Sequence, residues 1–151
     1  MPAAKPYLLL INENKSHRTK EELAERKKAE EELFTGEKLK EKAEIRQNEI
    51  SHGEFLRVKR LLKAIGKDDD IFSGPINRYC RLLAECEEFE KKKAAATKRL
   101  EELTNLKDDF GDDVKAFFQL TASIEKHIID FDKQIQTKRK MMFDIEKENL
   151  M

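Results

Sequence analysis

The stretch that decides the fold is Val114-Lys-Ala-Phe-Phe-Gln-Leu-Thr-Ala-Ser-Ile-Glu-Lys-His-Ile-Ile-Asp-Phe-Asp-Lys-Gln-Ile-Gln-Thr-Lys-Arg-Lys-Met-Met-Phe-Asp-Ile145. Val114, Phe117, Thr121, Ile124, Ile128, Phe131, Ile135, Lys138, Met142 and Ile145 succeed one another at alternating steps of three and four, and all but Thr121 and Lys138 are apolar. That spacing is the seam of a coiled coil, so one long helix is predicted here, packed lengthwise on another helix. Phe118, Leu120 and Ile129 lie beside the seam and widen the apolar face. Two uses of this surplus stay open: contact between subunits, or packing against a helix at 54–65 of the same chain.

Working backwards, Asp108-Asp-Phe-Gly-Asp-Asp113 interrupts the helical pattern. Asp112 or Asp113 suits the N-cap of the following helix, whose positive end favours carboxylates. Before the break, Ile76, Tyr79, Leu82, Leu83, Cys86 and Phe89, then Ala96, Leu100, Leu103 and Leu106, trace the apolar side of another helix. Ser73 suits its N-cap and Pro75 its first turn, where a missing amide costs nothing. At about 1.5 Å per residue this helix is roughly 45–50 Å long. Two such helices joined by a short acidic loop, about 74–107 and 112–147, are expected to form an antiparallel hairpin.

Upstream, Phe55, Leu56, Val58, Leu61, Leu62 and Ile65 place a helix over 54–65, with Gly66 as its stop. Residues 37–53 are polar with scattered Leu39, Ile45 and Ile50, and read as a loosely packed connector, a hinge with one helical turn at most. Thr19 and Glu22 form a capping box, so a weakly amphipathic helix is expected from Lys20 to about Phe34, with Gly36 as its left-handed cap. Residues 1–17, with Pro2 and Pro6, read as an arm in which Tyr7-Leu-Leu-Leu-Ile11 has no assigned role. The expected fold is therefore all-α. Residues 1–53 form an arm, capped helix and connector, and 54–151 a helical core suited to oligomerisation.

Composition agrees with a thin, extended molecule. Of 151 residues, 41% are charged and 38% hydrophobic, there is no Trp, and the formal net charge is zero. A narrow helical chain covers its apolar stripes most readily against another helix or another copy of itself. Zero net charge means that affinity for nucleic acid has to come from local clusters. Tyr7–Ile11 is far shorter than the ~20 residues that span a bilayer, so a cytoplasmic protein without a membrane partner is expected. Cys80 and Cys86, six residues apart on one helix, point about 120° apart, which disfavours a disulfide or a shared metal site.

Familiar catalytic patterns are missing. The isolated glycines make neither a Walker A loop nor a dinucleotide fingerprint, and His17, His52 and His127 belong to no metal-ligand pattern. The acidic residues at 108–113 are explained by capping without a cation. No cofactor, no metal and no catalytic activity are expected. What remains is basic: Lys15, His17, Arg18 and Lys20 before the first helix, and Arg57, Lys59, Arg60 and Lys63 on the helix at 54–65, opposed there by Glu54 alone. Such a face suits phosphate contacts that set position without reading bases, although an ordinary solvated helix face has the same composition.

Ser16-His-Arg-Thr-Lys20, the Glu-Glu-Leu-Ala-Glu-Arg-Lys-Lys-Ala-Glu stretch that follows, and Leu33-Phe-Thr-Gly36 resemble the amino-terminal region of the small terminase subunits of tailed double-stranded DNA phages. Glu54-Phe-Leu-Arg-Val-Lys-Arg-Leu-Leu-Lys63 and Ile76-Asn-Arg-Tyr-Cys-Arg-Leu-Leu-Ala-Glu85 are similar to that family's central helices. The likeness covers roughly residues 16 to 90. It implies a homo-oligomeric ring that binds double-stranded viral DNA in the host cytoplasm and works with a large terminase subunit, which supplies the ATPase and nuclease. Carried onto this chain, DNA contact falls to Arg18, Lys20, Arg57, Lys59, Arg60 and Lys63, and the basic cluster before the first helix adds Lys15. The apolar sides of the two long helices supply the candidates for oligomer contact, Tyr79, Leu83, Phe89, Phe117, Ile124, Ile128, Phe131, Ile135 and Met142. No tight helix-turn-helix is visible in residues 20–65. The competing expectation is a coiled-coil scaffold or protein adaptor that does not bind DNA.

Overall fold

A computed structural model describes residues 19–150. Its helices are α1 (Lys20–Glu32), α2 (Ala43–Gln47), α3 (Glu49–Ala64), α4 (Ser73–Asn105) and α5 (Val114–Ile145), with 3-10 turns at Asp70–Phe72 and Lys107–Phe110 and a π turn at Glu146–Leu150. No strand occurs among the described residues; one isolated bridge pairs Lys38 with Asp69. The fold is all-α. The chain divides into two compact units, residues 1–83 with 141–151, and residues 84–140, and α4 and α5 run through both. The division expected at 53/54 falls inside α3, and residues 1–17 and Tyr7–Ile11 lie outside the described region.

In the first unit, α1 starts as its sequence predicts: the Thr19 hydroxyl accepts from the Glu22 amide (3.2 Å), and the Glu22 carboxylate accepts from the Thr19 amide (3.3 Å). Its end differs. Leu33 is the C-cap, and Gly36, with φ +78°, lies beyond it and turns the chain toward Asp69. The Asp69 side chain, only 5% exposed, accepts from the amides of Thr35 (3.0 Å), Gly36 (2.9 Å) and Ile71 (2.9 Å) and from the Thr35 hydroxyl (3.0 Å).

From that knot the connector is stitched down rather than hinged. The Leu39 amide donates to the Asp68 carbonyl and the Asp70 amide to the Glu37 carbonyl. Asn77, buried in the first turns of α4, accepts from the Lys42 amide (2.8 Å) and donates to the carbonyls of Lys40 (2.8 Å) and Ser73 (2.6 Å). Ser73 is already helical. It does not cap α4; its hydroxyl accepts from Lys40 (2.9 Å) and donates to Asp70 (2.7 Å). Leu39 and Ile45 are core residues, Ile45 being 1% exposed. The reading of 37–53 as a loose hinge is thus overturned, because bonds from distant residues satisfy a backbone that has no helical period of its own.

Helix α3 begins five residues earlier than expected. Asn48 caps it by accepting from Ile50 (3.0 Å) and Ser51 (3.1 Å), and Gly53 sits inside it. Its buried stripe is Ser51, Phe55, Val58 and Leu62, at steps of four, three and four. Leu56, Leu61 and Ile65, predicted to share that face, are exposed, because they lie to either side of the stripe around the helix. The π turn is held by the buried Tyr79, whose hydroxyl donates to Glu146 (2.7 Å); burial and that bond both raise the phenol's pKa. Cys80 is fully buried, which pushes its thiol up to about 12.

The second unit is the antiparallel hairpin. Two series of partners each run backward along α5 as α4 advances: Glu85 with Lys138 (2.6 Å) and then Phe89 with Phe131 (ring centroids 6.1 Å), and Glu90 with Arg139 and then Lys93 with Asp132 (2.9 Å). Asp113 caps α5 by accepting from Ala116 (3.1 Å), and Gly111 turns the loop at φ +55°. Val114, the predicted start of the seam, is exposed, whereas Phe117 and Ile135 are buried.

Two outcomes test the stitched connector. Replacing Ile45 by Ala empties a fully buried site and should lower unfolding stability by about 3 kcal/mol, measured by urea denaturation. Burial pushes the Asp69 carboxyl up, but hydrogen bonds from Ile71, Thr35 and Gly36 outweigh it and hold the pKa below the ordinary value. A carboxyl depressed on folding contributes stability that is complete above its unfolded value, near pH 4, and is lost as pH falls through the folded one. Stability should therefore fall more between pH 5 and pH 2 in the native chain than in Asp69→Asn; equal falls would show that this carboxyl does not govern acid stability.

Candidate nucleic-acid interface

The basic face on α3 is built by the connector that positions that helix. Lys59, Arg60 and Lys63 follow one another within one helical turn; Arg60 and Lys63 are exposed and Lys59 is half-buried. No ion pair of these three occurs among the described residues. Arg57 differs: its Nε donates to Glu54 (3.0 Å) and its guanidinium is paired with the same carboxylate, so much of its charge is compensated. No acidic residue lies between Glu54 and Asp68, which leaves this segment with a local excess of cations.

Beside it lies an open groove of about 630 Å³, lined by Lys40, Arg46, His52, Leu56 and Lys59, with Leu39, Glu41 and Phe55. Sequence reasoning passed over Arg46 and His52, the first as part of the connector and the second as an isolated histidine. The fold joins them through Glu41, whose nearly buried carboxylate receives Arg46 Nε (3.0 Å) and lies 2.7 Å from His52 Nδ1. His52, Leu56, Lys59 and Lys63 are spaced at four, three and four along α3, so the groove and the basic face are continuous. Lys40 is engaged by Glu37 (2.6 Å) and contributes less free charge. A polyanion lying along α3 would meet Lys63, Arg60 and Lys59 and then the groove's Arg46 and His52.

Among the other candidates for DNA contact, Lys20 is exposed in the first turn of α1, while Lys15 and Arg18 lie outside the described residues. The candidates for oligomer contact separate by burial. Tyr79, Phe117, Ile135 and Met142 are buried within the chain, so their contacts are internal. Leu83, Phe89, Ile124, Ile128 and Phe131 are half-buried. Phe118 (58% exposed), Ile129 (54%) and Leu120 are among the large apolar residues that α5 leaves exposed, with Val114, Met141 and Phe143. Among the described residues no group of three or more His, Cys, Asp or Glu side chains is placed to hold a metal ion, and no helix is long and apolar enough to cross a membrane.

If the α3 face binds a duplex through phosphates, each lost cation contact should reduce the slope of log affinity against log salt by about 0.9. Arg60→Glu with Lys63→Glu should flatten that slope by about 2 and weaken binding at low salt by at least about tenfold, read by fluorescence anisotropy on duplex DNA. An unchanged slope would remove these residues from the interface. Comparison with protein-family models, curated proteins and solved structures finds no match.

Proposed function

We propose that this chain is a small terminase subunit, a non-catalytic adaptor that binds double-stranded viral DNA in the cytoplasm of an infected bacterium, assembles into a ring and engages a large terminase subunit that carries the ATPase and nuclease. The observation that carries this reading is the row Lys59, Arg60 and Lys63 on α3, half-buried at Lys59, exposed at the other two and without an ion pair among the described residues, within a stretch that resembles that family. A helix face of this kind holds a duplex by its backbone, and the absence of a tight helix-turn-helix suits recognition by shape and phosphate position.

Self-assembly is supported by Phe118, Leu120 and Ile129, which are large, apolar and exposed on α5. Isolated exposed apolar residues are common, but Phe118 and Ile129, eleven residues apart and so on one side of α5, form the kind of surface that subunits cover. The same three residues favour a second reading, a coiled-coil adaptor whose uncovered flank takes another protein's helix, without DNA.

Light scattering coupled to size exclusion, over a range of protein concentrations, separates these readings from a simpler state. The packaging adaptor predicts a discrete high-order oligomer of the 17.7 kDa chain that persists on dilution. Phe118→Asp with Ile129→Asp should dissociate it while leaving the far-ultraviolet circular dichroism of the chain unchanged, because both side chains are exposed. A monomer at every concentration would refute ring assembly, and an oligomer indifferent to DNA would leave the scaffold.

A further inference from the structure

The groove beside α3 holds one charge that opposes the anion it would receive. The Glu41 side chain is only 5% exposed; one carboxylate oxygen accepts from Arg46 Nε (3.0 Å) and the other lies 2.7 Å from His52 Nδ1. A single buried counter-charge is thus shared between a permanent cation and an imidazole. With Glu41 ionised, Arg46, Glu41 and His52 sum to zero while His52 is neutral and to one positive charge once it is protonated. Imidazole is the side chain that ordinarily makes this change between pH 5 and 8. The other charged groups around the ring are Lys40, which is paired with Glu37 and Asp70, Lys59 on the same face of α3, and Glu49 one turn earlier on that helix. These are side-chain types whose reference values lie outside that window.

We propose, on the reading of the chain as a DNA-binding adaptor, that a phosphate group of the bound duplex seats in this groove against Arg46, His52 and Lys59, and that protonation of His52 completes the seat. DNA is then held more tightly at mildly acidic pH. An ionised carboxylate only accepts, so Nδ1 directs its hydrogen at Glu41, and Nε2 is the nitrogen left for a ligand. On neutral His52 that nitrogen carries a lone pair, which repels a phosphate oxygen. On protonated His52 it carries a hydrogen, and a charge-assisted bond forms. Glu41 takes Arg46 through Nε, and the Arg46 side chain is 71% exposed, so the terminal nitrogens of the guanidinium remain for the same anion. Lys59 lines the groove and joins it to Arg60 and Lys63, so the seat lies at the end of the row that already faces a duplex.

Fluorescence anisotropy on a labelled DNA duplex, over a salt series at pH 6 and at pH 8 in phosphate-free buffer, tests this with the full native chain and with His52→Gln. Glutamine keeps a polar group without the titration, and the His52 side chain is 38% exposed, so the core is left intact. For the native chain the slope of log affinity against log salt should be steeper at pH 6 than at pH 8 by about 0.9, the value of one further phosphate contact, with binding at low salt at least about threefold tighter. His52→Gln should match the native chain at pH 8 and show neither gain at pH 6. Equal native slopes at the two pH values, or a pH effect that survives in His52→Gln, would overturn the proton-linked seat and leave the DNA reading standing. No salt-dependent binding at either pH would overturn both.

Discussion

The buried carboxylate of Asp69 is the interaction on which the first unit depends. A charge withdrawn from water is costly unless nearly every lone pair finds a donor, and here three backbone amides and a hydroxyl converge on it. Two of those amides belong to Thr35 and Gly36, on the far side of α1, and one to Ile71, at the entry to α4. Once they are gathered, the chain from 37 to 42 must run beside residues 68–77, and Asn77 satisfies what remains of its polar backbone. The positions of α2, of α3 and of the basic face of α3 follow. A chain with so much charge and so little apolar material places this segment with side-chain-to-backbone bonds where a richer chain would use a larger core.

This arrangement explains which parts of the molecule were legible in the sequence. The Thr19–Glu22 capping box, the Asp113 cap and the α5 seam are set by residues three or four apart, and all three were readable. The Asp69 and Asn77 bonds join residues more than thirty apart, and nothing local to Leu39 or Ile45 marks them as core. For the same reason the polar stretch before Gly53 concealed the first turn of α3. Of the candidate site, Lys59, Arg60 and Lys63 were visible as a cluster, whereas Arg46 and His52 become neighbours only through Glu41. The seam posed a different difficulty. Apolar residues at steps of three and four look alike whether their own chain or another covers them, and only burial assigns Tyr79, Phe117, Ile135 and Met142 to the interior.

Charge is used differently along α3 and along the hairpin. On the hairpin, Glu85, Glu90 and Asp132 each face a cation across the two helices. Partly exposed pairs of this kind add little to stability, so their main effect is to fix which residues oppose one another. They also cancel the local field along the hairpin. On α3, Lys59, Arg60 and Lys63 have no such partner among the described residues, and their field extends into solvent for about a Debye length, near 10 Å. A chain of zero net charge can thus carry a nearly neutral hairpin and a locally positive helix face, because neutrality is reached by pairing in one place and left incomplete in the other.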